Sequence, residues 1–297
     1  MYSHIVIAVD GSDEANRAAR RGLAFAGEFD ATVDVLHVVE RKALGLTTSG
    51  DEEERLRERG ERILADIEDI ASERGQSVTT ALREGKPVVQ ISEFADERNA
   101  NLLVIGRQGM SGVGKQLLGG VTEQLLHRST IPVFVVPKGE EEMTNATDYA
   151  RILIPTDGSE NADVAVPPGI EIARQYDSAV HVLNVVDLQA AGGAFDAGGL
   201  ESEFVERLDE RGQTAVEEVA REVEEGVSGA VTTAVERTTS FEGAAAGIRE
   251  YVGENDIELV VMASHGRSNV GRQFLGSVAS TLLRTIDVPV VVVRRSS

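Results

Sequence analysis

Short apolar runs alternate along this chain with longer stretches whose apolar residues fall three to four positions apart. The runs His4–Val9 (HIVIAV) and Thr32–Val39 (TVDVLHVV) predict strands, as do Ser77–Leu82, Ala100–Gly106 and Ile131–Pro137. Between them, Ser12–Phe29 reads as an Ala-rich helix with Ser12 or Asp13 as its N-cap. A second helix carries the stripe Leu56, Ile63, Ile67 and Ile70. A third spans Pro87–Asn99, with proline tolerated in its first turn, and a fourth spans Gly119–Ser129. Alternation of helices with unbroken apolar strands predicts a parallel sheet covered on both faces. Right-handed crossovers then leave few topologies.

The pattern occurs twice. Ile5–Ala15 (IVIAVDGSDEA) matches Ile152–Ala162 (ILIPTDGSENA), an offset of 147. Glu54–Gly60 (ERLRERG) matches Glu206–Gly212 (ERLDERG), an offset of 152, and Leu102–Gly109 matches Leu259–Gly266, an offset of 157. The second copy therefore carries two small insertions, one of them placed in the Gly/Ala-rich segment Leu188–Gly199, which reads as a loop. The division expected is a first domain over 1–140, a polar linker over 141–150 and a second domain over 151–297.

Composition narrows the chemistry. With 297 residues, 41% of them hydrophobic, the chain can fill about two ordinary cores. It has no cysteine, so disulfides and thiolate metal sites are excluded. The N-terminal stretch lacks the pattern of a signal peptide, and no apolar run is long enough to span a bilayer, so a cytoplasmic protein with no membrane partner is expected. The net charge is −21. That balance argues against nucleic acid, whose phosphates demand clustered basic charge. Lysine occurs only at Lys42, Lys86, Lys115 and Lys138. High acidity with scarce lysine fits adaptation to high salt, where a Debye length of ~3 Å at about 1 M makes self-repulsion cheap.

After the fourth strand each copy places a glycine-rich basic loop, Gly106–Gly120 and Ala263–Ser277, ahead of a helix. In an open α/β sheet, ligands bind beyond the carboxyl ends of strands where strand order reverses. A helix start there offers unpaired N–H groups to an anion. Asp10 and Asp157, ending the first strand, face the same crevice if strands one and four are neighbours. Arg107 and Lys115, or Arg267 and Arg272, add positive charge. The anion these features suit best is a nucleotide phosphate chain. The run Gly109–Lys115 begins like a P-loop, but Gln116 stands where Ser or Thr must hold Mg²⁺, and the run follows the wrong strand.

Both copies resemble the universal stress protein domain, whose nucleotide-binding members carry G-x2-G-x9-G-[S/T] after strand four. Copy one has Gly106, Gly109, Gly119 and Gly120; copy two has Ala263, Gly266, Gly276 and Ser277. The resemblance implies two tandem doubly wound α/β domains, each a five-stranded parallel sheet of order 3-2-1-4-5. It also implies contacts. Ala8, Val9 and Asp10, or Pro155, Thr156 and Asp157, would hold adenine and ribose. Val38 or Val185 would give adenine a backbone contact. Ile105, Gly106, Arg107 and Gly109, or Met262, Ala263, Gly266 and Arg267, would line ribose and phosphates. Gly119, Gly120, Val121 and Thr122, or Gly276, Ser277, Val278 and Ala279, would bind phosphate. Gly120 loses a hydroxyl that the Thr122 hydroxyl can replace; Ala263 adds a methyl.

The expected ligand is ATP, with AMP and ADP as alternatives and Mg²⁺ as accompanying ion. The resemblance also implies pairing of the two domains through their fifth strands, with homo-oligomers as a further step. The five histidines show no metal-ligand spacing, and no catalytic residue stands out. The function expected is that of a stress or energy sensor. A slow ATPase or phosphoryl-transfer enzyme and a nucleotide-free scaffold stand beside it as alternatives.

Overall fold

β-Branched runs and Ala-rich amphipathic stretches form the elements their periods dictate. The computed structural model describes residues 2–40, 50–109, 117–138, 148–192, 202–267 and 275–295. The chain divides into two units, Met1–Thr147 and Asp148–Ser297. Of the expected linker 141–150, residues 141–147 lie outside the described residues.

Unit 1 runs β1 (His4–Val9), α1 (Asp13–Glu28), β2 (Thr32–Val39), α2 (Gly50–Glu73), β3 (Thr79–Glu84), α3 (Pro87–Glu97), β4 (Leu102–Gly106), α4 (Gly120–Arg128) and β5 (Val133–Val136). Its strands lie in the order β3-β2-β1-β4-β5, all parallel, with Ile5 opposite Val33 on one side and Leu102 on the other. Helices α1 and α2 pack together, and α3 packs with α4. The central strands are buried almost throughout, Ile5, Ile7, Leu102 and Val104 completely. Covering both faces is what makes those strands read as continuous apolar runs. β3 sits two residues later than its apolar pattern suggests, because Arg83 and Glu84 extend the pairing along Val38 and Val39 at a half-exposed edge.

Unit 2 repeats the order. Its strands β6 (Arg151–Pro155), β7 (Ala179–Asp187), β8 (Val231–Thr238), β9 (Leu259–Ala263) and β10 (Val290–Val293) run β10-β9-β6-β7-β8. Counted within the unit, this is again 3-2-1-4-5. Helices α8 (Ser202–Gly226), α9 (Ala244–Glu254) and α10 (Ser277–Thr285) match α2, α3 and α4. Two departures have local causes. The first helix is split into α5 (Glu160–Asp163) and α6 (Val166–Tyr176), because Pro167 and Pro168 supply no N–H to the preceding turn and so belong in the first turn of a new helix. The segment read as a loop from Leu188 begins instead with a one-turn helix, α7 (Leu188–Gly192), capped by Asp187 Oδ1, which accepts from Gln189 N–H (3.0 Å) and Ala190 N–H (2.9 Å). Residues 193–199 of that segment lie outside the described residues.

Ser12 is the N-cap of α1, its Oγ accepting from Ala15 N–H at 3.1 Å. Ser12→Ala is expected to cost about 1 kcal/mol, the usual value of such a cap, read as a lowered denaturant midpoint at unchanged slope.

Candidate functional site

β1 and β4 are neighbours in the sheet, and the chain departs from them in opposite directions. Their carboxyl ends therefore frame a switch-point crevice. The turn after β1 is fixed by Gly11, at φ 80°, and by Asp10, whose Oδ1 accepts from Ser12 N–H at 3.0 Å. The other Asp10 oxygen faces Gly109, where any Cβ would collide with it. The loop is anchored from below: Glu14 Oε2 accepts from Gln108 N–H (2.8 Å), and Gly119 N–H donates to the Arg107 carbonyl (2.9 Å). α4 then begins with Gly119 as N-cap and no side-chain cap, so its first-turn N–H groups are left for another acceptor.

These parts enclose a cavity of about 590 Å³. Ala8, Val9, Asp10, Val38, Ile105, Gly106, Gly109, Gly119, Gly120, Val121 and Thr122 all line it. Arg107 does not: its side chain is 5% exposed and is absent from the cavity wall. At the constant offset of 157 it stands opposite Ser264, not Arg267. Thr122 lines the cavity but cannot replace the missing hydroxyl as a donor, because its Oγ–H already donates to the Gly106 carbonyl at 2.9 Å. Lys115, Gln116, Gly271 and Arg272 lie outside the described residues.

In unit 2, Pro155 ends β6 and Thr156 and Asp157 follow it, Met262 and Ala263 end β9, and Val185 lies on β7, which pairs with β6. Asp157 Oδ2 accepts from Arg267 N–H at 2.7 Å, and Asn161 Nδ2 donates to the Gly266 carbonyl at 3.0 Å. Gly276 N–H donates to the Ser264 carbonyl at 2.9 Å, and α10 opens on Ser277, Val278 and Ala279 without a side-chain cap. Ala263 is extended and has no positive φ, so its methyl costs no backbone strain.

A family profile described as "Universal stress protein family" matches residues 1–137 and 148–294. This chain belongs to the universal stress protein family. A universal stress protein of Methanocaldococcus jannaschii is 38% identical over 146 residues, which is 48% of this chain and 86% of the relative. One from Mycolicibacterium smegmatis is 28% identical over 305 residues, covering 98% of this chain and 96% of its own. The crystal structure of a universal stress protein from Archaeoglobus fulgidus covers 100% of this chain and 98% of that one, with a TM-score of 0.72 at 21% identity, and so shares the fold.

Within this universal stress protein the cavity wall includes residues that motif reasoning passed over, His37, Glu40, Arg59 and Gln108, and Glu14 holds the last of them through its backbone N–H. His37 had a visible signal. It aligns with Asn184, and the two side chains do the same thing: His37 Nδ1 lies 2.8 Å from the Val9 carbonyl, and Asn184 Nδ2 donates to the Thr156 carbonyl at 2.8 Å. Burial pushes the His37 pKa below the ordinary histidine value, helped by Arg59, while the bond to Val9 and the Asp10 charge pull it back. Burial and then Arg151 lower His181 in the same direction. In unit 2, burial and then the Asp157 charge raise the Asp163 carboxyl. Among the described residues no group of His, Asp or Glu could hold a metal ion, and no helix is long and apolar enough to cross a membrane.

The lowered histidines predict acid sensitivity. Above the unfolded-state pKa near ~6.5 both states are neutral at these rings. Below it the unfolded chain takes up protons that the folded chain refuses, so stability falls with pH from about 6.5 downward until the folded pKa values are reached. Thermal melts at pH 7.5 and 5.5 should show a smaller acid loss for His37→Asn than for the parent chain.

Proposed function

We propose that this universal stress protein binds an adenine nucleotide, ATP or its products ADP and AMP, in the unit 1 cavity and in the matching crevice of unit 2. On this reading it acts as a stress or energy sensor in the cytoplasm, signalling through partners or assembly. The observation that carries it is the cavity of about 590 Å³ at the switch point, closed at one end by the uncapped start of α4. That volume falls within the ordinary range for small-molecule sites, and helix starts of this kind favour anions. At the other end of the cavity, carbonyl-rich strand tips and the Asp10 carboxylate suit ribose hydroxyls and the amino group of a base. Mg²⁺ would arrive with the phosphates rather than on a protein ligand set. The net charge of −21 with four lysines supports work at high salt.

Isothermal titration of ATP, ADP, AMP and cyclic AMP in molar KCl, with and without Mg²⁺, tests the reading. Saturable binding of one of them supports the sensor; no heat from any of them on folded protein removes it and leaves the scaffold. Phosphate release in the same samples would favour the slow ATPase instead.

A further inference from the structure

We propose that His37 positions the ligand-binding turn of unit 1 and makes nucleotide affinity there fall as pH drops, whereas Asn184 gives unit 2 a site without that dependence. The inference rests on the nucleotide reading of the cavity. Its basis is one position solved with two side chains. In both units the second strand sends a side-chain N–H to the carbonyl just before the aspartate that ends the first strand, at 2.8 Å in each case. Val9 and His37 form the last pair between β1 and β2, so this bond takes over where that ladder stops. It thereby holds the turn that presents Asp10 or Asp157.

The surroundings repeat as well. A glycine of the following helix makes room for each side chain. A Cβ at Gly60 would come within 2.8 Å of His37 Cδ2 and 3.4 Å of its Nε2, and one at Gly212 within 2.6 Å of Asn184 Oδ1. What differs between the units is that one of the two side chains titrates.

A carbonyl acceptor requires the proton on His37 Nδ1, so a second proton must go to Nε2. The charged groups that face the ring are Asp10, from the turn after β1, which favours that proton, and Arg59, from α2, which opposes it. Burial opposes it most and holds the pKa below the ordinary value. The ring lines the cavity, so water in the cavity supplies its remaining hydration. A ligand that fills the cavity displaces that water and penalises the charged ring further. Proton and ligand therefore compete, and the competition is reciprocal. Attraction to the phosphates does not reverse the sign. They would sit at α4, beyond β4, and β2 is two strand spacings from β4, about 10 Å. At that distance the attraction is weaker than the loss of hydration at the ring itself, and salt in the open part of the cavity weakens it further.

The test uses the full chain with Ser277→Asp, which silences the unit 2 site, and ATP as the probe. Comparing His37 with His37→Asn in the same buffers cancels the titration of ATP itself. From pH 7.5 to 5.0 the His37 chain should lose about threefold or more in affinity relative to His37→Asn, within the usual range of coupling between two ligands. At pH 7.5, His37→Ala should bind about fivefold more weakly, the loss of one hydrogen bond, and His37→Asn should restore affinity to within about twofold. A direct readout needs no folded variant at position 37: the His37 ring followed by NMR should titrate at lower pH with ATP bound than without. Superimposable pH profiles, or a midpoint that ATP leaves unchanged or raises, overturn the inference while leaving nucleotide binding intact. Absence of ATP binding at pH 7.5 overturns the nucleotide reading and the inference with it.

Discussion

Gly120→Asp is expected to abolish nucleotide binding in unit 1 while leaving the fold slightly more stable. Gly120 is the first residue of α4, and a side chain built there meets nothing within 4 Å. The substitution therefore adds charge without adding strain. A carboxylate in the first helical turn is favourable to the helix by about 0.3–1 kcal/mol. The same carboxylate occupies the N–H groups a phosphate would use and repels the phosphate itself. Two unit charges 4 Å apart near a protein surface interact by about 4 kcal/mol. Half of that already exceeds a tenfold loss, and the two effects together should weaken binding by more than about a hundredfold. Gly109 is a poorer place for the same experiment, because a Cβ there would run into the Asp10 carboxylate and deform the turn before any charge acted. Ser277→Asp is the counterpart in unit 2, at the same first position of α10. Titration calorimetry of the two single variants and the double variant, with thermal melts alongside, reads both effects. If the double variant binds ATP as the parent does, the nucleotide is not held at these helix starts. Gly120→Ser should move the other way, tightening unit 1 by about fivefold through one added hydrogen bond.

The parts of this molecule legible in its sequence are those whose signal is local or repeated. Strands β1, β2 and β4 stand out because both faces are covered, so their apolar runs are unbroken. The edge strand β3 is less legible: Arg83 and Glu84 pair with β2 but point into a half-exposed margin, and polarity hides them. The break before α6 was signalled by Pro167 and Pro168, whose missing N–H groups an Ala-rich pattern does not reveal. Gly106, Gly109 and Gly119 could be placed because backbone or the Asp10 carboxylate comes close to where a Cβ would stand at each. Glu14 could not, because its task, holding Gln108 N–H, joins residues 94 positions apart. Arg107 was drawn into the site by its charge, and the repeat offset would have kept it out, since Ser264 is its counterpart. The offset of 147 that relates the first strands of the two copies brings His37 to Asn184, which is the one sequence sign that the histidine serves the turn rather than a metal.

Phe25→Ala is expected to be the most destabilising of the substitutions considered, and Phe241→Ala, the same chemical change, nearly silent. Phe25 lies on the buried face of α1 at 1% exposure, with Tyr2 (1%) and Phe134 of β5 (0%) around it. Its ring is stacked on Phe29 with centroids 4.6 Å apart, meets Tyr2 edge-on at 5.3 Å and Phe134 at 5.5 Å. The chain has only 8 Phe, 4 Tyr and no Trp, so a third of its aromatic residues sit in this one cluster and unit 1 has few others to take over. Unit 2 keeps only the Tyr149–Tyr176 pair at this place, with Ile172 where Phe25 stands. Truncating a buried phenylalanine costs about 3–5 kcal/mol in lost transfer energy and residual cavity. The stacked and edge-on pairs add about 0.5–1.5 kcal/mol each beyond area. The surrounding rings are stiff and cannot collapse into the space, which favours the upper end. For a unit of this size that corresponds to a fall of roughly 10 °C or more in the unit 1 transition. Phe241, at 94% exposure, has almost no burial to lose, so its truncation should leave both transitions within about 0.5 kcal/mol of the parent. Scanning calorimetry of the two variants settles the contrast. A Phe25→Ala transition close to the parent's would mean that the Tyr2, Phe29 and Phe134 rings repack around the gap, and that the cluster packs α1 onto the sheet by bulk rather than by fit.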